Sequence, residues 1–289
     1  MREEISIQWF PGHMTKARRM IAENLKLVDA VCEIIDARIP YSSRNPDLDD
    51  ITGGKTRIIV LNRIDQADPD MSKLWRAQFK AGGAAVLDTD SKSGKGVGAF
   101  PQVMRSALAD KLAYYKSRGQ SGRKLRVMVV GIPNVGKSSF INRLAKRNAA
   151  ATSDRPGVTR GKQWIGIDSG LELLDTPGIL WPRFEDQTVA ENLAFTGAIR
   201  DDIMDIETLG ANLFYRLKEY YPDRINDRYK VDVSAEVGGF DLLTQAAKNR
   251  GFLISGGEFD LNRMASVFLD EFRGGKLGRI TLEQVISDK

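Results

Sequence analysis

Four short apolar runs, each closing on polar or glycine-rich residues, organise the first part of the chain: AVCEIID (30–36), RIIVLNRID (57–65), AAVLDTDS (84–91) and LRVMVVG (125–131). They are almost continuously apolar rather than alternating, as strands buried on both faces are. QWIGID (163–168) and LELLD (171–175) read as a hairpin turning at Ser169–Gly170. Between the runs lie helical patterns. TKARRMIAENLKLV (15–28) is basic and amphipathic, with Met20, Leu25 and Val28 inward. Residues 101–119 form one long helical pattern, SRGQSGRK (117–124) a polar linker, and KSSFINRLAK a helix directly after a glycine-rich turn. Strands alternating with helices predict an α/β fold with a mostly parallel sheet covered on both faces. After about Leu180 the period becomes helical throughout. TVAENLAFTGAI (188–199), DIETLGANLFYRLKEYY (205–221), DLLTQAAKNRG (241–251) and EFDLNRMASVFLDEF (258–272) carry it, and Leu209, Leu213 and Leu217 stack at four-residue steps. Pro222 is expected to end one helix, and Gly251 and Gly274 to follow the last turns of two others. The expected domains are therefore residues 1–180, α/β, and 181–289, small and all-α.

Charge changes this picture. The net charge of +5 is unevenly spread. Residues 1–180 hold 29 Lys and Arg against 19 Asp and Glu, while residues 181–289 hold 14 against 19. Residues 111–164 carry 13 basic side chains and a single acid, Asp154. Such a block suits a polyanion such as RNA, or in part a phosphate ligand. The single cysteine, Cys32, lies in an apolar run and reads as a core residue, consistent with a reducing cytoplasm. No apolar run approaches the ~18 residues of a membrane span, and the acidic, polar start is unlike a signal peptide.

The chemistry-bearing motifs sit at the ends of the predicted strands. GIPNVGKS (131–138) matches G-x-x-x-x-G-K-[ST] between a strand and a helix. Gly131 and Gly136 let the backbone of Asn134, Val135, Gly136, Lys137, Ser138 and Ser139 wrap a phosphate at a helix N-terminus. Lys137 should reach the β- and γ-phosphates, and the Ser138 hydroxyl should sit on Mg²⁺. DTPG (175–178) follows a strand. Asp175 is placed to hold Mg²⁺, and the Gly178 N–H to bind the γ-phosphate. Within RPGVTRG (155–161), Thr159 is the candidate switch threonine for Mg²⁺ and γ-phosphate. NRID (62–65) has the spacing of the N-K-x-D base reader. The Asp65 carboxylate can accept from guanine N1–H and the exocyclic amine, a donor pair adenine lacks. Asn62 would meet the other purine edge, and Arg63, in place of lysine, would cover the base. In DSKSG (90–94), Ser91 and Lys92 are candidates for backbone contact with guanine O6. The base readers precede the phosphate loop, the reverse of ordinary GTPases, which implies a circular permutation.

This order, together with QWFPGHM (8–14), DARIP (36–40), GIPNVGKS, PGVTRG, DTPG and FRGGKLGRITLE (272–283), closely resembles the bacterial ribosome biogenesis GTPase A family over nearly the whole chain. The resemblance implies a GTP hydrolase acting in late assembly of the large ribosomal subunit, contacting ribosomal RNA and proteins, with the helical domain helping to bind the particle. The position after the DxxG glycine holds Ile179, which cannot orient a water, so slow unaided turnover is expected. The histidine of the family's WFPGHM segment, its proposed catalytic group, matches His13, the chain's one histidine, which either orients or deprotonates the attacking water or only packs or caps the PGHM turn. Asn134 resembles the potassium-binding asparagine of related GTPases. Trp9, Phe10 and Pro11 either pack in the core or dock on RNA or protein. Asp36 and Arg38 either pair locally or present Arg38 to the nucleotide or ribosome. Any RNA contact in the acidic helical domain must come from a cluster such as Arg273, Lys276 and Arg279, unless that domain meets basic proteins. The expected protein is a monomer whose nucleotide state reaches the helical domain through residues 178–190. The competing readings are a nucleotide-binding scaffold with negligible turnover and an accessory to RNA modification.

Overall fold

The computed structural model describes residues 14–149, 163–176, 186–234 and 236–285. His13, Thr159, Gly178, Ile179 and the Trp9–Phe10–Pro11 run lie outside them, as does most of 178–190. The chain forms two compact units, Phe10–Pro182 with Val285–Lys289, and Arg183–Gln284 with Met1–Trp9.

The first unit is built on α1 (Met14–Leu25), β1 (Ala30–Asp36), α2 (Asp47–Ile51), β2 (Thr56–Asn62), α3 (Pro69–Ala81) and β3 (Ala85–Asp88). It continues through α4 (Phe100–Ala107), α5 (Ala109–Ser117), β4 (Leu125–Gly131), α6 (Lys137–Ala149), β5 (Gln163–Asp168) and β6 (Leu171–Asp175). The sheet order is β3-β2-β1-β4-β6-β5, parallel except for the β5–β6 hairpin. All seven residues of β1 are buried, Cys32 among them, so both faces of the sheet centre are covered, as the unbroken apolar pattern implies. Burial pushes the Cys32 thiol well above its ordinary value, making it an inert core group. Val31, Met128, Val130 and Leu174 pack with Ile21, Leu25 and Val28. Ile35, Ile59 and Leu61 pack with Trp75 and Phe79 of α3 and with Val285. In-register parallel pairing (Asp36 with Asn62, Ile34 with Gly131, Val129 with Asp175) gathers the C-terminal ends of the strands along one edge. In an open parallel sheet that edge is where ligands bind.

Two local expectations change. The helix predicted over 101–119 is broken at Leu108 (φ −112, ψ 23), whose side chain is buried. The break gives α5 its own direction, and Tyr115 of α5 donates its hydroxyl to Asp29 Oδ1 at 2.6 Å. Helix α3 has no counterpart among the predicted elements. Asp68 caps it by accepting from the N–H groups of Asp70 and Met71, with Pro69 at the first helical position.

The second unit contains α7 (Gln187–Phe195), α8 (Ile206–Tyr220), α9 (Pro222–Tyr229), α10 (Gly239–Arg250) and α11 (Leu261–Arg273). Leu209, Leu213 and Leu217 of α8 are fully buried, and Phe214 stacks on Phe268 of α11 at 3.6 Å between ring centroids. Asp186, Asp205 and Asp260 cap α7, α8 and α11. Pro222 does more than end α8: it opens α9, where its missing N–H costs nothing. Arg273 donates to the carbonyls of Ala194 and Phe195 and to the Asp201 carboxylate. It is a structural tie within this unit, which removes it from the basic cluster expected to meet RNA; Lys276 and Arg279 are exposed. Among the described residues, no helix is long and apolar enough to cross a membrane.

Candidate nucleotide site

β4 ends at Gly131 and the chain turns through Pro133–Gly136 into α6. A Cβ on Gly136, at φ 96, would lie 2.3 Å from Asn62 Nδ2, so this turn accepts no side chain there. Asn134 is also left-handed, at φ 59. Helix geometry leaves the first N–H groups of α6, at Lys137, Ser138 and Ser139, outside the helical hydrogen-bond ladder. Ser138 and Ser139 are exposed, whereas Val135 and Lys137 are buried. The Lys137 ammonium pairs with Asp175 at the end of β6, whose carboxylate is 32% exposed. A buried ammonium and a part-exposed carboxylate thus meet at one point of the sheet edge. The next residue, Thr176, is buried and donates to the Val129 carbonyl at 2.7 Å, fixing the exit from β6.

The NRID segment leaves β2 one strand away from β1. Asn62 is buried and its side chain is largely committed to the protein. Nδ2 donates to the Val135 carbonyl of the phosphate loop at 2.7 Å. Oδ1 accepts from Thr89 Oγ1 (3.1 Å), Ser91 N (3.0 Å) and Ser91 Oγ (2.7 Å). Asn62, expected to meet the other purine edge, spends most of its hydrogen bonds within the protein. It clamps three loops together, leaving at most its second amide hydrogen for a base. Arg63, at φ 59, donates from Nη2 to the Asn134 carbonyl at 2.8 Å, with Nε 3.6 Å from Asp36 Oδ2. Its head is tied to the phosphate loop, so its stem, rather than its planar head, is the part placed to cover a base. Burial pulls the Arg63 guanidinium below its ordinary value, partly offset by Asp36. Asp65 is exposed, not buried, so any desolvation that enforces base selectivity must come from the bound purine covering it.

The DSKSG loop also departs from expectation. Ser91 is buried and its N–H is spent on Asn62; the Lys92 N–H goes to Asp90 Oδ1 at 2.9 Å. Both N–H groups are thus held by side-chain acceptors of the protein itself. Burial pushes the Asp90 carboxyl up, but hydrogen bonds from Ser93 and Lys92 outweigh it and hold the group below the usual range. Arg143 of α6 donates to the Lys92 carbonyl, tying this loop to the phosphate-loop helix. Arg143 belongs to no motif, and Thr89 and Thr176, though close to or inside motif segments, carry no expected role, since each acts through a side-chain contact with a residue distant in sequence.

Of the two readings of DARIP, the local pair holds. Arg38 is 1% exposed and forks onto Asp36, Nε to Oδ1 at 3.0 Å and Nη2 to Oδ2 at 2.7 Å. Burial pushes the Asp36 carboxyl up, and Arg38 and Arg63 more than reverse it, holding Asp36 charged well below the usual range.

Residues 126–207 match the family described as 50S ribosome-binding GTPase. The chain is 45% identical to ribosome biogenesis GTPase A of Bacillus cereus over 96% of its own length and 93% of that protein's. It is 32% identical to the protein of that name from Thermotoga maritima, over 96% and 94%. Among solved structures, it is similar to GNP-bound YlqF from T. maritima, with a TM-score of 0.64 and 29% identity over 93% of this chain and 98% of that one. GDP-bound TM YlqF gives a TM-score of 0.67 and 28% identity over 93% and 100%.

Proposed function

Because the chain belongs to the ribosome biogenesis GTPase A family, and is therefore a GTP hydrolase, we propose that it works as a nucleotide-dependent assembly factor on precursors of the large ribosomal subunit, contacting ribosomal RNA and ribosomal proteins. The observation that carries this reading is the clamp at Asn62. One side chain holds the phosphate loop against both base-side loops, so nucleotide and loop order are coupled. The scaffold and RNA-modification readings have no comparable support; among the described residues no cluster of His, Cys, Asp and Glu could hold a metal.

In this reading Asp65 accepts from the guanine edge and the stem of Arg63 covers the ring. The loop 90–94, with Ser91 and Lys92, shapes the pocket wall through its order rather than through its N–H groups. The backbone of 134–139 and the Lys137 ammonium hold the phosphates. GTPases use Mg²⁺, and an exposed Ser138 hydroxyl next in sequence to Lys137, whose ammonium pairs with the part-exposed Asp175 carboxylate, supplies with that carboxylate the hard oxygens that suit such an ion. Ser138, Asp175 and Thr159 would hold it, where it neutralises charge on the β- and γ-phosphates. Nucleotide entry exchanges partners: Lys137 leaves Asp175 for phosphate. Gly178 reports the γ-phosphate, and residues 178–190 carry that state onward to the helical unit. Asn134 would hold K⁺, its backbone set by Arg63, and His13 would orient the attacking water. The protein acts as a monomer in the cytoplasm.

Turnover alone is slow in this account and rises when large-subunit particles are added. A steady-state phosphate-release assay with and without particles tests it. Equal rates would contradict the assembly-factor reading, and ATP turnover as fast as GTP turnover would contradict the site.

A further inference from the structure

The end of the sheet opposite the nucleotide edge carries a second charged surface. β4 spans seven residues from Leu125 to Gly131, so its start lies about 20 Å from the phosphate loop. Around that start stand Lys111, Lys116, Arg118, Arg123, Lys124 and Arg126, with Asp29, Asp110 and Glu172 as the neighbouring carboxylates. Asp29 is taken up by Lys111 and Tyr115, and Glu172 by Lys124 and Arg126. Lys116, Arg118 and Arg123 are exposed, and none pairs with a carboxylate among the described residues.

Aromatic rings are interleaved with these cations. Tyr114 is 55% exposed, with the Arg118 guanidinium 5.6 Å from its ring centre. The Arg123 guanidinium lies 4.4 Å from the ring centre of Tyr115. The segment 117–124, which composition alone reads as a loose linker, is folded back on α5. Gln120 N–H donates to the Tyr115 carbonyl at 2.9 Å, and Arg123 N–H to the Gln120 carbonyl at 3.0 Å. Tyr115 is in turn anchored to Asp29 at the foot of β1. The cations are therefore presented on a fixed platform, which lowers the ordering cost of binding.

We infer that α5 and the 117–124 turn form an RNA-docking surface, in which Lys116, Arg118 and Arg123 hold the phosphate backbone and an unpaired base stacks on Tyr114. Cations without carboxylate partners beside a ring that is 55% exposed are what single-stranded RNA requires, the base taking the side of Tyr114 that Arg118 does not cover, whereas an acidic peptide would use the charge and leave the ring idle. The inference rests on the proposed RNA partner and assigns it a place remote from the guanine pocket, so docking leaves the nucleotide edge open.

The test is fluorescence titration of full-length protein with a labelled mixed-sequence single-stranded RNA oligomer at several salt concentrations, with poly-glutamate as a competitor. Three variants are compared with the wild type: Tyr114→Ala, Tyr114→Phe, and the triple change of Lys116, Arg118 and Arg123 to Ala. The triple variant is expected to flatten the slope of log affinity against log salt by about 2. Tyr114→Ala should weaken binding roughly ten- to a hundredfold, and Tyr114→Phe should restore it. GDP affinity and melting temperature should stay at wild-type values in all three. Unchanged RNA affinity and salt slope in the variants would overturn the assignment, as would wild-type protein that ignores the oligomer or binds poly-glutamate equally well. Sedimentation of the wild type with large-subunit particles is the separate arm: its failure would sink the functional reading, not this surface.

Discussion

Asn62 illustrates how one side chain can bear on both stability and function. Replacing it with Ala would strand the Val135 carbonyl and the donors of Thr89 and Ser91 in a buried setting. An unsatisfied buried polar group costs roughly 1–3 kcal/mol. We expect Asn62→Ala to lower the melting temperature of the nucleotide-free protein and to weaken GDP and GTP alike; calorimetric melting and titration would show it. A variant with normal melting and normal affinity would remove the clamp. Asp65 makes the opposite prediction. It is exposed and holds no loop in place, so Asp65→Ala should leave melting unchanged. It should still weaken guanine nucleotides about 100-fold or more, because two hydrogen bonds to a charged acceptor are lost. Glu271 of the helical unit is held at about 2, first by Arg228 (Nε to Oε2 at 2.6 Å), with the Tyr229 hydroxyl assisting against burial. Its unfolded value is 4.5, so folding binds fewer protons there than unfolding does. The stabilisation is therefore whole above about pH 4.5 and is lost as pH falls toward 2. Glu271→Gln should destabilise the neutral protein and abolish that part of its acid sensitivity. An unchanged acid-melting curve would contradict it.

At the scale of elements, what could be read from the chain is what acts locally. Unbroken apolar runs mark β1 to β4, because parallel strands covered on both faces leave no polar alternation to blur them. The hairpin at Ser169–Gly170 and the strand–turn–helix at 131–138 follow from turn chemistry. Other features were hidden by cooperation at a distance. The break at Leu108 serves a contact between α5 and Asp29, 86 residues earlier in sequence. Pro222 was expected to stop a helix, yet the same fixed backbone also starts the next. Helix α3 carries its signal in the cap Asp68–Pro69 rather than in its apolar periodicity. At the site, residue types and spacing identified the phosphate loop and its partner Asp175. What the chain does not show is that Asn62, Ser91 and Lys92 also bond within the protein, because which acceptor takes a given N–H depends on loops 27 to 73 residues apart. An element-level prediction follows from Gly136. Its missing Cβ is what lets Asn62 reach the phosphate loop, and its φ of 96 disfavours any other residue. Gly136→Ala should abolish measurable nucleotide binding while α6 remains helical by circular dichroism. Retained affinity would show that the turn tolerates a shift.

On the scale of the whole molecule, charge is divided between an acidic helical unit and a basic sheet unit. The nucleotide edge and the cation–tyrosine surface stand at opposite ends of one strand. Permutation places the base readers early in the chain, ahead of the phosphate loop. Switching by nucleotide depends on a guanine site built from the loops that Asn62 joins. Calorimetric titration of the wild-type protein with non-hydrolysable GTP and ATP analogues measures this directly. The account predicts saturable binding of the GTP analogue and binding of the ATP analogue at least a thousandfold weaker, the discrimination expected when a donor pair is missing opposite a carboxylate. Comparable affinity for the two would contradict it.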